Sequence, residues 1–314
     1  MDVAVENRKR PRPELLEISD LIVDFDPQTM ARRPVVQAEL VERFRAVGDP
    51  RAARIVAGMP SSKGVLDPDA VDRLLIRVHC EMQRLSEEFQ HGQRVSELLH
   101  AMLAALRQCG VPTPYRIVDI GCGTGYVIRW LAARGEFGSD VELIGVDYNE
   151  ALVEEAQRLS TAERLECRFE VVNAFAMDQP ATVYLSTGVL HHIRGGGLAE
   201  FLREHDQDGT QAFVHYDFQP SPLARPGAWA FHYIRMREPL SCHDGVISAR
   251  RAHTATTLVD AARQSSFACG MYGTHFWKLP IPRVFHTLMG MRPEVIDAFR
   301  LTLGRRSGRL GTLA

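Results

Sequence analysis

From Tyr115 onward, short apolar runs typical of buried strands alternate with amphipathic stretches typical of helices. Because parallel strands need a helical crossover between them, this alternation predicts an α/β fold, a doubly wound parallel sheet with helices on both faces. The predicted strands are YRIVDIG, VELIGVDY, ECRFEVVNA, ATVYLST and QAFVHYDF, followed by the closing strands FACGMYGTHFW and RVFHTLMGM.

A glycine-rich loop follows the first predicted strand, with glycines at alternate positions after an acidic residue: Asp119, Gly121, Gly123 and Gly125. A phosphate-binding P-loop needs a lysine after the last glycine, and none is present. A dinucleotide loop prefers a third glycine at the position that Tyr126 occupies here, so a pyrophosphate ligand is disfavoured. The remaining interpretation is a nucleoside that carries an amino-acid arm.

Polar side chains at the ends of the next two strands agree with a nucleoside ligand. Asp147 closes VELIGVD, where one carboxylate can accept hydrogen bonds from two ribose hydroxyls. Asn173, Ala174 and Phe175 close the third strand and offer a polar and apolar neighbourhood for a base. We therefore predict that these residues and the glycine loop share one site.

These motifs resemble the class I S-adenosylmethionine-dependent methyltransferases, through VDIGCGTG, GVDYN, YLSTGVLHHI and DGVISARRAHTATTLVDAA, over residues 112–290. The resemblance implies a Rossmann-like seven-stranded sheet of order 3-2-1-4-5-7-6, with the seventh strand antiparallel. It also implies S-adenosyl-L-methionine as cofactor. The expected cofactor-binding residues are Asp119, Gly121, Cys122, Gly123, Gly125, Asp147, Tyr148, Asn149, Asn173, Ala174, Phe175, Ser186 and Thr187.

The candidate catalytic residues follow the fourth and fifth strands, because ligands of open α/β sheets bind beyond the carboxyl ends of the strands. His191 and His192 come just after the fourth strand, and His215, Tyr216 and Asp217 end the fifth. A histidine or carboxylate there could act as base for a hydroxyl acceptor. The alternative is that these side chains pack in the interior. Their spacing matches no recognised ligand pattern, so no metal is expected.

The first third of the chain has a different texture and is expected to form a helical cap over residues 1–111. One cap helix should begin with Asp67 as N-cap and Pro68 in its first turn. The cofactor-binding core is expected over residues 112–314, with a less regular substrate-side insertion at about 219–253. We also hypothesise that Phe89, Gln90 and His91 reach the pocket.

The bulk properties exclude several classes of partner. A net charge of −2 and a pI of about 6.6 provide no field that would attract nucleic acid or an anionic membrane. Six cysteines without a CxxC pair argue against disulfides and a structural zinc site, and favour a reducing cytoplasm. No signal peptide or transmembrane run is predicted. The expected partner is a small-molecule acceptor.

Three functions remain open at this level. The leading hypothesis is a methyltransferase acting on a small metabolite or natural-product intermediate. The alternative is an enzyme that consumes S-adenosylmethionine itself, similar to an azetidine-2-carboxylate synthase, and releases methylthioadenosine. The third is a binding protein that kept the cofactor loop without catalysis.

Overall fold

The computed structural model describes residues 14–177, 180–273 and 284–311. The helices are α1 (Gln37–Ala46), α2 (Pro50–Ala57), α3 (Pro68–Glu88), α4 (His91–Gln108), α5 (Tyr126–Arg134), α6 (Glu150–Glu163), α7 (Gly197–Glu204), α8 (Ala224–Arg235), α9 (Pro239–Arg251), α10 (Ala255–Ala262) and α11 (Ile296–Leu303). The strands are β1 (Asp24–Phe25), β2 (Arg32–Arg33), β3 (Ser61–Ser62), β4 (Val65–Leu66), β5 (Tyr115–Ile120), β6 (Val141–Asp147), β7 (Arg168–Val171), β8 (Val183–Thr187), β9 (Ala212–Phe218), β10 (Ala268–Tyr272) and β11 (Phe285–Met291).

Seven strands form the main sheet, in the order β7-β6-β5-β8-β9-β11-β10. When β5 is counted as the first strand of the sheet, this order is 3-2-1-4-5-7-6. The β11 strand runs antiparallel to both of its neighbours, whereas β5 is parallel to β6 and β8. The predicted doubly wound α/β sheet is therefore confirmed. The order reverses between β5 and β8, which is where open sheets of this kind bind ligands.

Alternating side chains on the strands build a separate core on each face of the sheet. Ile117, Val183 and Val214 pack in one cluster with residues of α4, α5 and α11. Their sequence neighbours Val118, Tyr184 and Phe213 belong to a second cluster with residues of α7 and α10. Successive residues of a strand point to opposite faces, and both faces of this sheet are covered by helices. The strands are therefore continuous apolar runs rather than alternating apolar and polar residues.

The residues before β5 divide between a cap and the main core. Asp67 caps α3 by accepting a hydrogen bond from the Ala70 N–H at 2.9 Å, and Pro68 begins the helix, as predicted. The cap has its own cluster, made by residues of α1, α2 and α3 together with Leu240 of α9. In contrast, α4 packs its apolar face in the main core against α5 and α11. The cap expected over residues 1–111 therefore does not include α4, because the apolar face of α4 is buried against the core helices α5 and α11.

The segment at 219–253 is helical, contrary to the expectation of an irregular insertion. It forms α8 and α9, and α9 is buried along much of its length against α8, the cap helices α2 and α3, and the turn at Leu190–His192. The α2 helix was also missed, because its eight residues are too few to show a clear period. The described parts of the two closing strands are β10 and β11. Residues 274–283, which include the end of FACGMYGTHFW and the first residue of RVFHTLMGM, lie outside the described residues.

The helices in the described parts of the chain do not include one that is long and apolar enough to cross a membrane. The longest, α3, has 21 residues, but charged side chains recur along it. Its apolar residues Val71, Leu75 and Val78 form one stripe that is buried in the cap. This amphipathic pattern is typical of a helix that packs on one side only.

Candidate active site

A cavity of about 560 Å³ opens at the carboxyl ends of the central strands. Its floor comes from the loops after β5, β6, β7 and β8. Its other walls are α3, α9 and the N-terminal segment, defined here as residues 14–27, which covers the cavity from the cap side. The sheet therefore supplies one wall and the cap supplies the opposite one.

The glycine loop has a backbone conformation that residues with side chains rarely adopt. Gly121, Gly123 and Gly125 have φ values of 66°, 55° and 73°, in the left-handed region that glycine enters without strain. A Cβ on Gly123 would lie 2.4 Å from the ring of His79, which comes from α3. The loop therefore keeps its backbone close to the cap wall, and a ligand can approach that backbone closely. Gly121, Cys122 and Gly123 line the cavity, whereas Gly125 lies beneath the loop against Phe169.

The Asp147 carboxylate organises the loop that it faces. One oxygen accepts the Gly123 N–H at 2.9 Å, and the other accepts the Asn149 N–H at 3.0 Å. Asn149 caps α6 by accepting the Leu152 N–H at 3.3 Å. Its buried Nδ2 has no hydrogen-bond partner within the described residues, which leaves a donor for a ligand. Asp147, Asn149 and the exposed Tyr148 all line the cavity.

Asn173 ties the third strand end to the N-terminal segment. Its Oδ1 accepts the Phe175 N–H at 2.9 Å, and its Nδ2 donates to the Pro27 carbonyl at 3.0 Å. Asn173, Ala174 and Phe175 all line the cavity. Phe175 is 41% exposed and leaves an open apolar face. These features fit an adenine base better than a phosphate.

Asp119 lies near the cavity but behind its wall, with a side chain that is 1% exposed. Burial, reinforced by the Asp147 charge, raises the pKa of Asp119 well above its usual range. One of its oxygens has no hydrogen-bond partner in the described chain. Its expected contact with a cofactor amine stays a prediction.

Three candidates turn into the interior rather than to the cavity. Ser186 and His215 share a hydrogen bond at 2.8 Å between Oγ and Nδ1, and both are buried. Burial lowers the pKa of His215 well below its usual range, so its ring is neutral. Tyr216 is buried against the rings of His91 and Phe285. None of the three lines the cavity, because alternation on the covered strands directs them into the two core layers. Thr187, the last residue of β8, does line it.

Asp217 and His191 form a buried hydrogen-bonded pair at the cavity wall. His191 Nδ1 lies 2.8 Å from one carboxylate oxygen of Asp217, and the His191 backbone N–H donates to the other at 2.9 Å. Burial alone would raise the pKa of Asp217, but the His191 charge and these hydrogen bonds bring it to about 2. An ionised Asp217 holds Nδ1 protonated and leaves Nε2 to act on a ligand. His191 lines the cavity, and Asp217 lies behind it.

The N-terminal segment brings the carboxylates of Glu17 and Asp20 to the site, which the sequence did not indicate. Asp244 of α9 fixes this segment by accepting the backbone N–H groups of Ile18 and Ser19 at 2.9 and 2.8 Å. Glu17 is thereby buried and lies 3.1 Å from Arg251 of α9, measured from carboxylate oxygen to guanidinium nitrogen. No short-range pattern in residues 14–27 signals this role, because the partners lie more than 200 positions away.

His192 belongs to the same network of charges. Its Nδ1 lies 2.6 Å from an oxygen of Asp20, whose other oxygen is 2.5 Å from Arg251. Burial would lower the pKa of His192, but the charges of Glu17 and Asp20 outweigh it and raise the pKa to about 9. His192 therefore carries a charge at neutral pH and is better suited to fixing the N-terminal segment than to accepting a proton.

A metal ion is one further occupant that this cluster could accept. Ligand atoms of Glu17, His191 and His192 all lie within 4.8 Å of one another, which the sequence spacing did not suggest. However, Arg251 already supplies a positive charge to Glu17 at 3.1 Å. The three side chains thus have charged partners within the protein: Asp217 for His191, Asp20 for His192 and Arg251 for Glu17.

Comparison with known proteins extends these observations. A family model described as a methyltransferase domain matches residues 117–207. Trans-aconitate 2-methyltransferase of Pseudomonas aeruginosa is 36% identical over 87 residues, which cover 27% of this chain and 29% of that protein. Carboxy-S-adenosyl-L-methionine synthase of Nitratiruptor is 31% identical over 80 residues, covering 25% of this chain and 33% of that protein. The matched stretches thus span at most about a third of these relatives. Among solved structures, the plantazolicin methyltransferase BpumL is similar with 12% identity and a TM-score of 0.47, over 71% of this chain and 95% of that one.

The matched segment contains the elements that build the cofactor half of the cavity. It begins within β5 and includes the glycine loop, Asp147, Asn173 and the His191–His192 turn. The sheet topology and the polar groups at the strand ends agree with it. Residues 117–207 are thus similar to a methyltransferase domain, and these findings support a class I S-adenosylmethionine-dependent methyltransferase with S-adenosylmethionine as its cofactor.

Proposed function

We propose that this protein transfers the methyl group of S-adenosylmethionine to a hydroxyl or similar X–H group of a small metabolite or natural-product intermediate. The observation that carries the proposal is the Asp217–His191 pair, which opens onto the same cavity as the glycine loop. A base next to the methyl donor is what a hydroxyl acceptor requires.

The residues of this chain divide the work of the reaction. Bound S-adenosylmethionine supplies an electrophilic methyl group on a sulfonium. Asp147 and Asn149 offer an acceptor and a free donor to the nucleoside, and the Gly123 backbone lies beside them. His191 Nε2 would take the proton of the acceptor hydroxyl as the acceptor oxygen receives the methyl group, which bound S-adenosylmethionine would supply, leaving S-adenosylhomocysteine as the second product. The N-terminal segment and α3 exclude water and align the reactants, which accounts for much of the rate in such displacements.

Incubation of the pure protein with S-adenosylmethionine, alone and with panels of small acceptors, tests this function. We expect S-adenosylhomocysteine to form only when an acceptor is present. Release of methylthioadenosine without an acceptor would instead establish the cofactor-consuming cyclase. If S-adenosylmethionine failed to bind in calorimetry, a non-catalytic role would replace both.

Exchange of His191 for glutamine should lower kcat by about 10²–10⁴-fold for a hydroxyl acceptor, because the base is lost. Exchange of Asp217 for asparagine should lower kcat as well, since Nδ1 would lose the partner that fixes its proton. Rates measured between pH 6 and 10 should show partial recovery of His191→Gln at high pH, where the acceptor ionises by itself. Cofactor affinity serves as the control and should be unchanged. Wild-type kcat in both variants would remove the base from the mechanism.

A further inference from the structure

A second part of the cavity has aromatic walls. Phe218 of β9 and Phe285 of β11 are register partners, and their rings stack with centroids 4.8 Å apart. His191 lies edge-on to Phe218 at 5.4 Å, and His91 lies edge-on to Phe285 at 4.9 Å. All four side chains line the cavity. A continuous surface of aromatic and imidazole rings therefore extends from His191, the proposed base, to His91.

His91 is a polar ring in this surface whose nitrogens make no hydrogen bond within the described residues. It is 3% exposed. Burial, aided by the Arg94 charge, lowers the pKa of His91 to about 3, so the ring is neutral. A buried polar group left unpaired destabilises the fold, and such a group in a cavity wall is explained if a ligand pairs with it.

The position of His91 is set by the backbone before it. Gln90 adopts a left-handed conformation with φ of 55°, directly before α4 begins at His91. This turn joins α3 to α4 and directs the first side chain of α4 onto the ring of Phe285. The hypothesis that residues 89–91 reach the pocket therefore holds for His91, whereas Phe89 and Gln90 do not line it.

The charges around the cavity restrict what can lie on this surface. The lining includes Glu17, Asp20 and Asp244, but no lysine or arginine among the described residues. The nearby cation Arg251 is already paired with Glu17 and Asp20. His192, the charged ring in the lining, is likewise paired with Glu17 and Asp20. A polycarboxylate acceptor would therefore find no unpaired cation among the described lining residues, whereas an uncharged acceptor needs none.

We propose that Phe218, Phe285 and His91 form the acceptor subsite, and that it binds an uncharged, planar molecule whose polar group hydrogen-bonds to His91 while its reacting hydroxyl faces His191. The inference rests on the proposed methyl transfer and names the acceptor class for it. Flat aromatic or conjugated rings fit because they can lie against the stacked phenylalanines and gain offset or edge contacts.

Ligand binding to the full chain, saturated with S-adenosylhomocysteine, tests the subsite without requiring turnover. The probes are 2-naphthol, naphthalene, 2-naphthoate and a tricarboxylate, measured by saturation-transfer NMR and calorimetry. We expect 2-naphthol to bind more tightly than 2-naphthoate, and the tricarboxylate not to bind. His91→Phe should weaken 2-naphthol by about two- to tenfold, the loss of one hydrogen bond, and leave naphthalene unaffected.

Two further variants serve as controls for the role of the aromatic surface. Phe285→Leu should weaken both naphthalene and 2-naphthol, because it removes a ring from the surface. Trp229→Ala, on the exposed face of α8, removes an aromatic ring that does not line the cavity and should change neither. Preference for the carboxylates, or equal 2-naphthol affinity in His91→Phe, would overturn the subsite. In either case, methyl transfer by the wild-type protein to a different acceptor would leave the proposed function standing. Failure of the wild-type protein to bind S-adenosylhomocysteine would instead contradict the proposed function.

Discussion

At the scale of single residues, the site depends on carboxylates that do different work in different surroundings. Asp147 is held ready by two backbone donors and faces the cavity. Asp119, one strand away, is buried without a full set of partners, and burial raises its pKa. Asp217 is equally buried, yet its pKa is low because His191 and two backbone N–H groups stabilise the charge. Position on a strand thus predicts where a carboxylate lies, and its neighbours decide its charge.

Replacement of Asp147 by alanine should weaken S-adenosylmethionine binding by about 1–3 kcal/mol, because ribose hydroxyls lose a charged acceptor and the Gly123 N–H loses its partner. Isothermal titration calorimetry measures the change. Glu170→Ala is a matched control, since it removes an exposed carboxylate of β7 that does not line the cavity. Equal affinity in the two variants would mean that the ribose lies elsewhere.

At the scale of elements, close helix contacts decide which parts of the chain form one unit. Gly92, in the first turn of α4, faces Trp130 of α5, and a Cβ there would lie 2.4 Å from the indole ring. The α4 helix can approach the core this closely because that position has no side chain. The same contact explains why α4 belongs to the sheet core although it continues the helical texture of the cap.

Replacement of Gly92 by alanine should therefore destabilise the protein by about 1–3 kcal/mol through overpacking. Gly227→Ala makes the same chemical change in α8, where a Cβ meets nothing within 4 Å, and should instead stabilise by about 0.5–1 kcal/mol. Urea unfolding of both variants provides the comparison. Shifts of the same sign would show that the α4–α5 contact is looser than the structure indicates.

At the scale of the whole molecule, buried neutral histidines link stability to pH. Burial lowers the pKa of His91 to about 3 and of His205, His232 and His286 to about 4, and it also lowers the pKa of His215 well below its ordinary range. In the unfolded chain these rings titrate near the ordinary value of 6.5. Below that pH the unfolded chain therefore binds protons at these rings and the folded protein does not. The free energy of unfolding thus decreases as the pH falls from about 6.5 towards 4.

We expect the free energy of unfolding to decrease between pH 7 and pH 5, by up to about 1.4 kcal/mol per pH unit for each such histidine. His192 acts in the opposite direction: its pKa of about 9 gives stability that is complete below pH 6.5 and is lost as the pH rises through 9. Urea titrations at pH 5, 6, 7 and 9 should thus give a maximum near neutrality. Constant stability down to pH 5 would contradict the neutral interior rings.

The sequence alone determined the sheet, the start of α3 and the glycine loop, because strand period, helix caps and glycine spacing act over a few neighbouring residues. Only the tertiary structure decided that Ser186 and His215 turn inward, that Asp217 orients His191, and that Glu17 and Asp20 reach the site. These outcomes depend on contacts between residues far apart in the chain, such as Asp244 with Ile18. Local patterns carry no information about such partners, so the sequence predicted the glycine loop and the strand-end residues, and only the fold showed which side chains face the cavity.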